Sequence, residues 1–198
     1  MTSVEATPAL ARPRLDVGLA FKGGWNCFTA DIVPLLVGGL IAGLLSIVTL
    51  GILAGPLLAG LYSMVAGRIR DGRTAEIGDV FSCMDRFWDF LVAAVVLVVL
   101  IGLASLTIVG GVLLVTIWLY VIPIMVDRRL GVYDAMAASY HLVRDNGFWE
   151  HLALTVMLLA LNAVADGPLA ILAVPFTIAT VTAAYFVADG RDDLVERV

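Results

Sequence analysis

Residues 32–67 carry no Asp, Glu, Lys, Arg or His over about 36 positions. One helix of that length would rise roughly 54 Å, well beyond a hydrocarbon core about 30 Å thick. Halved, the run gives two spans of about 18 residues, roughly 27 Å each. Gly51 marks the middle and Gly55-Pro56 follow it, so the pattern predicts a transmembrane helical hairpin. The same object recurs twice. Residues 90–126 are uncharged, with Gly110-Gly111 at the centre, and residues 152–188 hold only Asp166, with Gly167-Pro168 near the centre. Three hairpins, at about 31–69, 89–127 and 150–188, make six spans.

The segments between the runs show a different period. Val17, Phe21, Trp25 and Phe28 fall on one helical face, and so do Ile77, Val80, Phe81 and Met84, and Val132, Met136, Tyr140 and Val143. Each predicts a short amphipathic helix lying in the membrane interface. Gly23-Gly24 weakens the first and is the point at which it could break. The expected fold is therefore all-α: a polytopic membrane protein of six transmembrane helices, paired as three hairpins and joined by interfacial amphipathic helices. Residues 1–14 read as a disordered tail, 15–191 as the membrane domain and 192–198 as a C-terminal tail. Each unit of about 60 residues repeats the order amphipathic segment, aromatic, acid, span, glycine, span, basic end.

Composition agrees with this pattern. The chain is 61% hydrophobic and only 15% charged, where a soluble domain carries about a quarter charged residues. All twelve Lys and Arg lie on the side of the termini, and the three tight turns have none. The positive-inside bias then places both termini in the cytoplasm and the protein in the inner membrane. A net charge of -5 gives no reason to expect a nucleic-acid partner. The partners expected are membrane lipids and a second membrane protein, itself or another.

Candidate chemistry is sparse. No GxSxG, HExxH or Walker sequence occurs, and no catalytic, cofactor or metal site is expected. His141 and His151, beside Asp145 and Glu150, lack the spacing of metal ligands and read as solvated interfacial histidines. Asp166 reads as a cap for the sixth span. Gly39, Gly43, Gly51, Gly55 and Gly67 fall in small-residue patterns that let helices approach, and are the candidate packing positions. Tyr62, Tyr120, Asn162 and Tyr185, with Thr49, Ser63 and Thr116, are candidates to line a polar cavity between hairpins. Trp25, Trp88 and Trp149 stand where spans begin and read as interfacial anchors. The function these features favour is a non-catalytic membrane protein that packs with a partner or organises lipid. The alternative is a transporter, channel or lipid-translocating protein with a path between the hairpins.

One stretch carries a resemblance. Pro123, Asp127, Gly131, Asp134, Ala135 and Ser139, followed by Asn146-Gly147-Phe148-Trp149, form a proline-containing span end, an acid, an amphipathic helix and a tryptophan opening the next span. This resembles a segment of small bacterial six-span membrane proteins of unknown function. These in turn resemble the membrane domain that accompanies some glycerophosphodiester phosphodiesterases. The likeness covers about 30 residues, and the six-span layout loosely. In those enzymes the catalytic residues belong to a separate soluble domain, so the resemblance implies an architecture and no site. The Pro-x-acid-x-x-base signature of mitochondrial carriers is not met at Pro56, Pro123 or Pro175.

Overall fold

The computed structural model describes residues 14–165 and 169–198. Almost all of the expected N-terminal tail, together with Asp166, Gly167 and Pro168, lies outside the described residues. Among these, every regular element is helical: α1 (Val17–Ala30), α2 (Ile32–Val48), α3 (Ala54–Asp71), α4 (Phe87–Ala104), α5 (Ile108–Ile117), α6 (Val121–Arg128), α7 (Val132–Asp145), α8 (Phe148–Val164), α9 (Ala170–Ala188) and α10 (Asp192–Glu196). Two 3-10 segments, Ile77–Phe81 and Met84–Arg86, precede α4. Three stretches are long and apolar enough to cross a membrane: Ile77–Ala104, Ile108–Arg128 and Ala170–Ala188. The number rises to five if α1 with α2, bent by 88°, and α7 with α8, bent by 110°, each count as one.

Local chemistry sets the boundaries. Asp16 caps α1 by accepting the Leu19 N–H at 2.9 Å. After α2 the chain turns through Leu50 and Gly51, at φ 52° and 87°. Thr49 ties this turn by donating to the Leu45 carbonyl and accepting the Leu53 N–H. Gly72 ends α3 in the left-handed region, at φ 65°. The second turn is at Ser105-Leu106-Thr107, about four residues earlier than the expected Gly110-Gly111. The Thr107 hydroxyl accepts the Gly110 N–H and so starts α5, which leaves both glycines inside its first turns.

Three further expectations are corrected. Gly23-Gly24 does not break α1; both glycines are buried in its contact face. The segment at Ile77 winds as a 3-10 turn and not as an amphipathic α-helix, because Val80 presses its backbone carbonyl against Gly60 and is wholly buried. A side chain on Gly60 would overlap that carbonyl. The run expected as span four breaks between α5 and α6. Pro123 has no N–H for the Leu119 carbonyl and crowds the preceding turn. Ser139 of α7 repairs the gap: its hydroxyl donates to the Ile117 carbonyl at 2.8 Å and accepts the Tyr120 N–H at 3.3 Å. Residues 192–198, read from the sequence as a C-terminal tail, are described in the structure. They contain α10, whose Val195 is buried against Gly23.

The helices sort into inner and outer positions. Eleven of the 18 residues of α3 are buried, against two of the 18 in α4, so α3 is central and α4 peripheral. Helices α3, α6 and α9 pack on one another. Around them, α2 packs on α3 and α9, α4 on α3 and α5, and α8 on α9 and α5. The preceding segments follow the same rotation: α1 lies on α9, the Ile77–Phe81 turn on α3, and α7 on α6. Each of α2, α4 and α8 thus touches a helix of its own apolar run and one of the run before it, taken cyclically.

Candidate functional site

The ends of α3, α6 and α9 converge, and their charged residues form one cluster. Asp127 on the last turn of α6 has a side chain only 7% exposed. Its Oδ2 accepts from the Tyr185 hydroxyl at 2.8 Å and from Arg191 at 2.6 Å, and its Oδ1 accepts from Arg70 at 3.4 Å. The Tyr185 oxygen in turn accepts from Arg191 at 3.0 Å and Arg128 at 3.2 Å. Arg128 pairs with Asp189, and Arg191 Nε lies 2.8 Å from the same carboxylate. Arg70 also pairs with Asp71 at 3.0 Å. The Arg191 guanidinium sits 4.2 Å over the Phe186 ring. Burial works against the Arg191 charge, but Asp127, Tyr185 and Asp189 outweigh it and hold the group above its ordinary value. Three arginines and three aspartates therefore close on themselves. The arrangement clamps the three inner helices at one end.

Two smaller ties lie at the same end. Arg68 reaches back to the buried Asp31 at 3.3 Å and joins the end of α3 to the start of α2. Arg86 pairs with Asp89 at 2.9 Å and donates to the Met125 and Leu130 carbonyls at 3.0 and 2.8 Å. That satisfies acceptors which the end of α6 would leave open.

The expected cavity residues do not share one site. Tyr120 and Tyr185 come together, their ring centroids 6.2 Å apart, and both are fully buried. Tyr62 is half-buried on α3. Asn162 instead ties α8 to α9, donating to the Leu158 carbonyl and to Thr177 Oγ1, each at 2.8 Å. Thr116 is buried and bonded within its own helix at 2.8 Å, and Ser63 lines a polar pocket of 70 Å³ beside Cys83, Arg86 and Arg129. His151 is not the solvated residue the sequence suggested. It is fully buried, edge-on to Tyr120 at 5.5 Å, and its Nδ1 donates to the Gly147 carbonyl at 2.7 Å. A carbonyl can only accept, so that bond places a proton on Nδ1. Among the described residues, His151 Nε2 and the Tyr120 hydroxyl have no hydrogen-bond partner. His141 is exposed, as expected.

The glycines divide in the same way. Gly55 meets the Phe90 backbone so closely that a side chain would overlap its carbonyl, and a Cβ on Gly39 would sit 3.2 Å from Pro175. Gly67 faces the Arg73 side chain, with its nearest atom 3.4 Å from a Cβ position. Gly43 and Gly51 have nothing within 4 Å and do not pack on another helix. The positions missed are Gly60 and Gly24, the latter against the Thr180 backbone. A signal for Gly24 was present: Ala20, Gly23, Gly24 and Cys27 form a small-residue face at i, i+3, i+4 and i+7, and that face is the buried one. Trp25, Trp88 and Trp149 are 57%, 73% and 75% exposed, each with a ring contact to a neighbouring phenylalanine.

Two apolar grooves open on the outside. One, of 530 Å³, lies between α1 and the α8–α9 pair; the other, of 440 Å³, runs between α2 and α9 past Gly39 and Gly43. No family model matches the chain, and comparison with curated proteins and with solved structures finds no match.

Proposed function

We propose that this chain is a non-catalytic integral inner-membrane protein with six spans in three hairpins and both termini cytoplasmic. Its work is to organise lipid and to pack beside a membrane partner. One observation carries the reading: the centre is filled and the outside is aliphatic. Tyr120, Tyr185, Phe186, Met64 and Leu154 are fully buried where a path between hairpins would run, while Leu44, Ile47, Val98 and Leu106 on the periphery are 64% to 85% exposed. Exposed aliphatic surface of this extent costs free energy in water and none in hydrocarbon.

Other features support the six-span count. Helices α2 and α8, with 17 residues, rise about 26 Å each. Helix α3 is less apolar because Arg68, Arg70 and Asp71 fall within it, but it needs less apolar surface, since 11 of its 18 residues are buried inside the protein. The charge clamp gathers at the ends where the basic residues accumulate, which favours one-sided topology. The cyclic packing favours a threefold internal repeat of about 60 residues. The resemblance of the segment from Pro123 to Trp149 to small bacterial six-span proteins stands beside this reading, since that segment builds α6, α7 and the start of α8.

A second reading, a path for a small solute, has one observation in its favour: the unpartnered Tyr120 hydroxyl and His151 Nε2 at the centre. Proteoliposomes loaded with small dyes and with fluorescent lipid decide between the two. The expected outcome is neither release nor lipid scrambling beyond protein-free vesicles. Flux that Tyr120→Phe or His151→Leu abolishes would replace the first reading with the second.

A further inference from the structure

We propose that the groove between α1 and the α8–α9 pair is a lipid site: it takes one acyl chain of an anionic phospholipid, whose headgroup meets Lys22. The inference rests on the membrane reading above and adds a place and a headgroup charge to it.

The groove is lined by apolar residues alone, among them Trp25, Phe28, Leu161, Leu169 and Phe176. Its 530 Å³ lies within the range of small-molecule sites, about 300–1,000 Å³. At roughly 30 Å³ for a water-sized group, it holds on the order of 15 to 18 methylenes, the length of a membrane acyl chain. The wall is stiff. Phe176 meets the rings of Phe21, Trp25 and Phe28 at 6.2, 6.1 and 5.9 Å, so four aromatic side chains hold one another in place. Aromatic side chains have few rotamers to lose, and a groove built from them is formed before its ligand arrives. The α2–α9 groove differs in its wall, which has no aromatic ring, and no Lys or Arg lies within one turn of its lining residues on either helix. Its lining is glycine, alanine, proline and aliphatic.

The headgroup argument comes from charge. Lys22 is the only lysine in the chain, it is exposed, and it stands one turn before Trp25 on α1. Most arginines at the charged end have a carboxylate within reach, whereas Lys22 has no ion pair among the described residues. A lysine stem lies along apolar surface and carries its ammonium toward the headgroups. An unpaired cation one helical turn from Trp25, itself a wall residue of the apolar groove, matches an anionic headgroup followed by a hydrocarbon chain.

The test is photo-crosslinking in nanodiscs that mix phosphatidylglycerol and phosphatidylcholine, with a diazirine on the acyl chain of one or the other. Adducts are mapped by proteolysis and mass spectrometry. Adducts of phosphatidylglycerol should concentrate on α1 and on α8–α9 near Leu161 and Leu172. Lys22→Glu should lower them about tenfold while phosphatidylcholine adducts stay level. Leu169→Trp, an exposed position that fills the groove, should lower both. Two outcomes overturn the lipid site while the membrane reading stands: adducts spread evenly over α2, α4 and α8, or groove adducts indifferent to headgroup and to Lys22→Glu. Extraction of the protein by alkaline carbonate, with no adduct anywhere, would overturn the membrane reading and the site with it.

Discussion

The half of the molecule near the charge clamp and the half near the turns are made of the same kinds of residue and are packed by different means. Helix α9 shows the contrast within one element. Every residue from Ile178 to Ala188 is buried, whereas between Ala170 and Thr177 only Ala173 and Pro175 are. Two glycines at about the same remove from the first turn show a second contrast, between an enclosed helix and a peripheral one: Gly60 on α3 has the Val80 carbonyl against its Cβ position, and Gly43 on α2 has open space. In a bilayer, lipid tails are as apolar as leucine, so burial of aliphatic surface gives helices little reason to associate. Close backbone approach and polar ties supply the reason instead. The clamp half has both, in Gly24 against Thr180, Ser139 and the cluster around Asp127. The turn half has fewer, Gly55 against the Phe90 backbone and Asn162 with Thr177 being its clearest, and in the proposed setting lipid fills its gaps.

That contrast predicts an ordering of effects. The largest belongs to Gly60→Leu, which drives a side chain into the Val80 backbone and should cost about 3 kcal/mol or more, enough to prevent folding. Gly43→Leu should stay within about 0.5 kcal/mol. Unfolding of both variants by SDS in mixed micelles, followed by circular dichroism, measures the pair; equal costs would erase the distinction between the enclosed α3 and the peripheral α2. Next comes Asp127→Ala, which leaves Arg70 and Arg191 without their shared carboxylate and should cost about 2–3 kcal/mol in the same assay. A neutral result would mean that the clamp adds nothing to the join of α3, α6 and α9. The smallest loss among the three disruptive variants is that of Ser139→Ala. It removes two hydrogen bonds across the α5–α6 break and should cost about 1 kcal/mol, with faster hydrogen exchange at the Tyr120 amide. Unchanged exchange there would show that the break is held by packing alone.

The turn half was the more legible of the two in sequence. Absence of charge and a glycine at mid-run placed α2 and α8 within a residue or two, because a helix that meets little else is governed by its own composition. The clamp half was legible only as a list of charged ends. Nothing in the spacing of Arg70, Asp127, Tyr185, Asp189 and Arg191 says that they meet, since the meeting depends on three helices far apart in the chain. The same holds for the α5–α6 break, where Pro123 gave the signal but the partner, Ser139, lies 16 residues on. It also holds for His151, whose burial is decided by Tyr120 on another helix. The second turn was misplaced for a local reason: Gly110-Gly111 outweighed Ser105 and Thr107, although a threonine ahead of an apolar run is the better start signal.

The central claim is that all the turns lie on one side of a membrane and the clamp on the other. Single cysteines at Leu50 and Leu106, which are 93% and 85% exposed at two of the turns, test it most directly when introduced with Cys27→Ala and Cys83→Ala. In intact cells both should react with a membrane-impermeant maleimide added outside, and a cysteine at Arg129, beside the clamp, should react only after the cells are broken. Labelling of Arg129→Cys from outside, or of Leu50→Cys and Leu106→Cys from opposite sides, would contradict the account.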